Sequence, residues 1–131
     1  LRKVATILYL CINGELKPGS ILFWDEPESN MNPTLISIIV DLLMELSQKY
    51  GVQIFLSTHD YLLSHKLSMM AEYAADTSPE MHFFSLYKEA HRVEVEVVDK
   101  LVNVAHNPIL EEYSAFYDLE NDYIKRYNEK I

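Results

Sequence analysis

Two adjacent carboxylates, Asp25 and Glu26, directly follow four apolar residues at positions 21–24 and precede Pro27. A run this short and apolar predicts a strand buried on both faces of a parallel sheet. Burying an unpaired carboxylate costs on the order of several kcal/mol. Because ligands of open α/β sheets bind at the carboxyl ends of the strands, the pair predicts a cation or a reacting group there. An acidic turn is the simpler interpretation of this stretch alone, since Asp and Pro are common in turns.

The residues that follow predict a strand–helix–strand unit built on this first strand. Asn32 and Pro33 are a helix cap and a first helical residue, and the helix is expected to run to about residue 50 and stop at Gly51. The apolar stretch 52–58 then predicts a second buried strand, parallel to the first. His59 comes directly after it.

Three segments, in this order and spacing, resemble the motifs of ABC-type ATPases. Residues 21–26 resemble a Walker B strand, residues 27–33 the D-loop that follows it, and residues 54–59 the strand with the switch histidine. The Asp-Glu-Pro-Glu form, followed by Asn-x-x-Pro, is closer to soluble SMC-like, RecF-like and OLD-like ATPases than to transporters. The resemblance covers roughly residues 1–88, and three motifs together are far more specific than any one of them.

The resemblance implies ATP and Mg²⁺ as cofactors and assigns roles to the motif residues. Asp25 is expected to hold Mg²⁺ through a bound water, since Mg²⁺ keeps several of its waters. Glu26 is the candidate general base, and His59 is expected to donate a hydrogen bond to the γ-phosphate.

The D-loop residues Ser29, Asn30 and Asn32 are the other candidate nucleotide-site residues. In the resembled family they lie at the seam of a homodimer that holds two ATP molecules between its subunits. Transporters carry an aspartate where this chain has Asn32, and capping the helix is an alternative role for that side chain.

The phosphate-binding motif Gly-x-x-x-x-Gly-Lys-Ser/Thr is absent, because Gly14, Gly19 and Gly51 are the only glycines and none precedes a lysine. That motif supplies most of the phosphate contacts in P-loop enzymes. We therefore predict an α/β fold in which residues 1–131 are the C-terminal part of a single ABC-type ATPase domain. The chain is expected to be a fragment of a longer protein, whose own N-terminal lobe with the Walker A motif would complete this half-site.

The remaining elements are predicted from periodicity. Apolar spacing predicts a helix over residues 1–13, a helix after His59, a loop at 75–80, and an antiparallel hairpin of strands 81–88 and 92–99 that extends the sheet. Valines alternate with glutamates in the second hairpin strand, so the glutamate face is expected to be solvated. Asn107 and Pro108 begin a last helix with an aromatic stripe. Such a stripe is more often core, although it could also dock a partner or a second copy.

Composition limits the partners. The net charge of −9 and the pI of about 4.9 argue against this segment gripping a nucleic-acid backbone, which needs basic contacts, so nucleic acid would have to be engaged elsewhere. The single cysteine excludes an internal disulfide and fits a reducing, cytoplasmic location. No apolar run approaches the length of a membrane span. The other histidines, His65, His82, His91 and His106, show no metal-ligand spacing.

The predicted function is therefore ATP hydrolysis by an SMC/RecF/OLD-like ATPase that switches a dimer between states. The resembled proteins act in DNA repair, chromosome organisation and phage defence. Two alternatives remain: a non-hydrolysing, ATP-gated interaction module, and the ATPase lobe of an OLD-like nuclease. The acidic tail has no Asp-x-Asp pair after a strand, so the sequence itself shows no nuclease motif.

Overall fold

The computed structural model describes residues 2–74 and 79–129, and these form a mixed α/β structure with two separate two-stranded sheets. In chain order its helices and strands are α1 (Arg2–Ile12), β1 (Ile21–Asp25), α2 (Ile36–Gln48), β2 (Gln53–Ser57), α3 (Tyr61–Tyr73), β3 (Phe83–Glu89), β4 (Arg92–Val98) and α4 (Pro108–Asn128). Short 3-10 turns lie at Pro33–Leu35 and Leu101–Asn103. The predicted loop at 75–80 lies mostly outside the described residues, as does Leu1.

The strand–helix–strand unit is confirmed. Strands β1 and β2 are parallel, and Asp25 at the end of β1 is in register with Ser57 at the end of β2. The Glu26 N–H continues the pairing by donating to the Ser57 carbonyl at 3.0 Å. The carboxyl ends of both strands therefore meet at one edge, where Glu26 and His59 leave the sheet.

The prediction that β1 is buried on both faces is wrong, and so is the prediction that β2 is a buried strand, since exposed and half-buried residues alternate along it. Trp24 is 8% exposed and faces the core, whereas Phe23 is 77% exposed on the other side, where its ring stacks on Phe55 with centroids 5.1 Å apart. An apolar run indicates that both faces of a strand avoid water, but in the part of the chain that the structure describes only one face of β1 is covered. The second face carries Ile21, Phe23 and Phe55, all exposed.

The core lies between α2, α3 and the buried face of this parallel sheet. Ile39, Val40, Leu43 and Leu46 of α2 are each no more than 2% exposed, and Leu63 of α3 is fully buried against the same cluster. Asn32 accepts hydrogen bonds from the Thr34 N–H and hydroxyl, so its predicted role as a cap is confirmed. The element that it caps is a 3-10 turn, however, and the α-helix begins at Ile36 and not at Pro33 as predicted.

The hairpin of β3 and β4 is confirmed, but among the described residues it forms its own antiparallel sheet and does not extend the parallel one. The prediction about its faces is also wrong. The face that carries the glutamates is half-buried. The opposite, apolar face is exposed, and it consists of Phe84, Leu86, Val93, Val95 and Val97.

The glutamate face turns inward because Glu96 holds the chain that leads into α4. Its carboxylate accepts hydrogen bonds from the backbone N–H of Ala105 at 3.0 Å and of His106 at 3.3 Å. These N–H groups, that of Ala105 first, lower the pKa of Glu96 below its usual value because they favour the ionised carboxylate. The hairpin therefore fixes where α4 begins.

Helix α4 is 21 residues long, is capped by Asn107 and contains no buried residue. The expectation that its aromatic stripe is core is wrong for this chain, since Phe116, Tyr117 and Tyr123 are each more than 60% exposed. Among the described residues, no helix is both long and apolar enough to cross a membrane.

Candidate functional site

The candidate site is built where β1 and β2 end and the chain turns away from the sheet. Glu26 has a φ of 45° and Asn30 a φ of 61°, in the left-handed region that non-glycine residues seldom occupy. Such residues cost on the order of 1–3 kcal/mol each and persist only where their surroundings hold them. They cluster at active sites, so the strained turn after β1 marks this edge as a candidate site.

Glu26 and His59 are brought together at this edge. His59 Nδ1 lies 3.0 Å from Glu26 Oε1, a hydrogen-bond distance at which an imidazole N–H can donate to the carboxylate. The His59 side chain is 79% exposed and that of Glu26 is 41% exposed, so both remain open to a ligand. The two residues named as catalytic candidates from the sequence therefore form one contiguous pair.

Asp25 is fixed by the neighbouring strand. Its Oδ1 accepts a hydrogen bond from the Ser57 hydroxyl across the register pair, which leaves the second carboxylate oxygen available. Within residues 2–74 and 79–129, no three His, Cys, Asp or Glu side chains come together as a metal cluster. A Mg²⁺ ion at a nucleotide needs only one or two carboxylates besides phosphates and waters, so Asp25 fits that need alone.

Glu28 ties the turn after β1 to the end of β2 from the buried side. Its Oε1 accepts from the Thr58 hydroxyl at 2.6 Å, and the same hydroxyl accepts from the Asp60 N–H at 3.0 Å. Glu28 is 8% exposed, and its Oε2 has no hydrogen-bond partner among the described residues. In the sequence Glu28 is only a member of the D-loop-like segment, and its hydrogen bond with Thr58 depends on the fold.

Lys3 of α1 is a site residue that sequence analysis missed. Its ammonium donates to the Glu26 carbonyl, to Ser29 Oγ at 2.5 Å and to the Asp25 carbonyl at 3.5 Å. The Lys3 ammonium thus connects α1 to the strained turn that follows β1. The signal was available, because Lys3 lies one helical turn before Ile7, the buried residue of α1, and so projects toward the core side. The neighbouring Arg2, a weaker candidate for a nucleotide contact, is exposed.

Replacing Lys3 with methionine is expected to lower the free energy of unfolding by about 1.5–3 kcal/mol, the range for hydrogen bonds to charged groups. Methionine keeps the length of the stem and removes all three donations to the turn. Urea unfolding of the purified chain measures the difference. The matched control is Lys17→Met at an exposed position, for which we expect a change within about 0.5 kcal/mol. Equal stability of the two variants would show that Lys3 does not hold the turn.

Glu26 and His59 line a cavity of about 440 Å³ beside the turn that follows β1. Its lining includes Ser29 and Asn30 of the D-loop segment together with Glu26 and His59, whereas Asn32 is engaged as a cap instead. The far wall is aromatic: Tyr61 of α3 contacts Tyr113 of α4 with ring centroids 4.6 Å apart. Tyr113 belongs to the aromatic stripe of α4, which the sequence predicts to be core, and the hairpin that positions α4 places it at this cavity instead.

One family comparison bears on this arrangement. Residues 2–64 match the family described as "AAA domain, putative AbiEii toxin, Type IV TA system", and this segment spans α1 to the start of α3. No curated protein and no solved structure matched the chain. The matched segment contains Lys3, the carboxylate pair and His59.

The fold and the family match support the same class of protein. A parallel strand–helix–strand unit has a carboxylate pair and a histidine at its edge, and it lies inside a segment that matches an AAA domain. These observations support an ATPase-type P-loop domain, a class of protein whose function is nucleotide binding. ATP is the nucleotide that this class implies, usually with Mg²⁺.

Proposed function

We propose that residues 1–131 form the C-terminal lobe of an ABC-type ATPase domain of the SMC/RecF/OLD-like kind and supply the hydrolytic half of its site. The observation that carries the proposal is the 3.0 Å contact between His59 and Glu26 at the shared end of two parallel strands. A structural turn needs no exposed acid–base pair on a strained backbone. A hydrolytic site needs both groups open to the substrate.

In this proposal Glu26 takes a proton from the attacking water, which its open carboxylate can contact in the cavity. His59 orients that carboxylate through Nδ1 and presents its other ring nitrogen away from the pair. Asp25 would hold Mg²⁺, whose chemistry when bound is to offset the charge of the phosphates. Lys3 keeps the Glu26 backbone in place through the carbonyl contact, so the position of the base does not drift.

The phosphate cradle comes, in the same proposal, from an N-terminal lobe that is not among these residues. Within the described residues the parallel sheet has two strands, and its face bearing Phe23 and Phe55 is exposed. Apolar surface of that kind is favourable to bury, at roughly 25 cal/mol per Å². A lobe that adds strands and helices to this sheet would cover the face and bring the P-loop to the same edge.

Dimer switching is a further part of the proposal. Ser29 and Asn30 line the open cavity beside the base, where a second copy could contact them across a shared nucleotide. Asn30 is exposed and Ser29 is half-buried at the cavity, a placement compatible with ATP joining two subunits and hydrolysis releasing them. A cytoplasmic role in DNA repair or phage defence would fit such a switch.

The proposal predicts that this chain alone does not bind Mg-ATP with useful affinity. Most phosphate contacts of a P-loop site come from the motif that the sequence lacks. Isothermal titration calorimetry is expected to show no saturable heat below about 1 mM nucleotide, the upper end of ordinary enzyme KM values. The protein that includes the P-loop lobe is expected to bind in that range. Saturable micromolar binding by residues 1–131 alone would contradict the half-site assignment.

A further inference from the structure

Helix α4 presents an exposed face with one carboxylate at its centre. Glu120 lies three or four residues, one helical turn, from four exposed apolar side chains, so it is surrounded by them on the helix surface. Those neighbours are Phe116, Tyr117, Tyr123 and Ile124, which are 51–68% exposed. We call these five side chains the α4 face.

The Glu120 carboxylate has no hydrogen-bond or ion-pair partner within residues 2–74 and 79–129. The cations of α4, Lys125 and Arg126, are five and six residues further on, so they do not neighbour Glu120 on the helix surface. The α4 face therefore combines apolar and aromatic side chains with a central negative charge that no neighbouring cation among the described residues balances.

This combination defines what can cover the face. Covering the rings with an apolar surface would also desolvate Glu120, and an unpaired carboxylate costs several kcal/mol to bury. A second copy of α4 would bring another carboxylate to the centre, and the net charge of −9 opposes close approach of two chains. An occupant that carries a cation opposite Glu120 avoids both penalties.

We propose that the α4 face docks an arginine-bearing amphipathic segment of a partner protein. Arginine suits the face better than lysine, because its planar guanidinium pairs with a carboxylate through two N–H groups and stacks on aromatic rings. Phe116, Tyr117 and Tyr123 offer such rings beside the carboxylate. The negative charge of the chain also draws a basic segment toward it over long range.

The face is continuous with the candidate site. Tyr113, one turn before Phe116 and Tyr117 on α4, lines the cavity that holds Glu26 and His59, and it contacts Tyr61. A partner bound to the α4 face would thus lie next to the candidate site. The docking proposal itself rests on the α4 face alone and does not depend on ATP hydrolysis.

The test uses two synthetic helical peptides of about 20 residues, close to the length of α4, which is 21 residues. Both carry leucines at three- and four-residue steps, and they differ only in a central arginine or glutamate. Fluorescence anisotropy with the 131-residue chain is expected to show saturable 1:1 binding of the arginine peptide that weakens with added salt. The glutamate peptide is expected to bind at least about tenfold more weakly, as for a buried like-charge contact.

Charge reversal and a matched control sharpen the test. Glu120→Arg is expected to invert the preference, so that the glutamate peptide binds at least about tenfold better than the arginine peptide. The control Asp118→Asn removes a charge two residues away, on the other side of the helix, and is expected to change the affinity less than about twofold. Circular dichroism confirms that each variant keeps the helix.

Equal binding of the two peptides, no binding of either, or an unchanged preference in Glu120→Arg would overturn the proposal. So would a dimer of the chain, detected by light scattering, that is lost when Tyr117 and Tyr123 are replaced by serine, because the occupant would then be a second copy.

Discussion

Replacing Glu26 with glutamine, in the protein that includes the P-loop lobe, is expected to retain Mg-ATP binding and to lower turnover by about 10²–10⁴-fold or more. Glutamine keeps the size of the side chain and its hydrogen-bonding reach, including the contact with His59, but it cannot accept a proton from water. Calorimetry measures the retained binding, and steady-state phosphate release measures the loss.

The control for this prediction is Glu15→Gln, which removes an exposed carboxylate that does not line the cavity and is expected to leave turnover unchanged. The dimer proposal adds a second readout, because an ATP-bound enzyme that cannot hydrolyse should accumulate as a dimer in light scattering. Turnover of Glu26→Gln near that of the unmodified protein would remove Glu26 from the mechanism. His59 would then be the remaining candidate to position the water.

Replacing Trp24 with alanine is expected to lower the free energy of unfolding by about 3–5 kcal/mol, the usual range for removing a large aromatic side chain from a core. The indole is 8% exposed and belongs to the cluster formed with α2 and α3. Urea or thermal unfolding of the 131-residue chain measures the loss.

The adjacent residue provides the matched control, because strand geometry points Phe23 to the opposite face, where it is 77% exposed. Phe23→Ala is expected to cost less than about 1 kcal/mol in this chain, as for surface changes. If the two substitutions cost the same, the buried and exposed faces of β1 have been assigned incorrectly.

The proximity of Glu26 and His59 could be predicted from the sequence because it depends only on one strand–helix–strand unit. Parallel strands joined by one helix end at the same edge, so residues that directly follow each strand must approach each other. Glu26 and His59 do so at 3.0 Å, although they are far apart in the chain. The caps at Asn32 and Asn107 were equally predictable, because a cap depends on its immediate neighbours.

The contacts that could not be predicted from the sequence join elements that are distant in the chain. The periodicity of a sequence predicts individual helices and strands but not how they pack against one another. Lys3 reaches the turn after β1 only because α1 lies over it, and Glu28 meets Thr58 only because the two loops leave adjacent strands. The exposure of the apolar faces was also predicted incorrectly. An apolar pattern identifies a face that avoids water without identifying what covers it, so Phe23, Val95 and Phe116 were expected to be buried and are exposed.

The central claim, that this chain supplies the hydrolytic half of an ATPase site, is tested most directly by recombining the halves. The P-loop lobe and residues 1–131 are co-expressed as separate chains, purified as a complex through a tag on the lobe, and assayed for phosphate release from Mg-ATP. We predict turnover by the complex, none by either half alone, and none by a complex carrying Glu26→Gln. Turnover by the P-loop lobe alone, or by the Glu26→Gln complex at the rate of the unmodified complex, would contradict the claim.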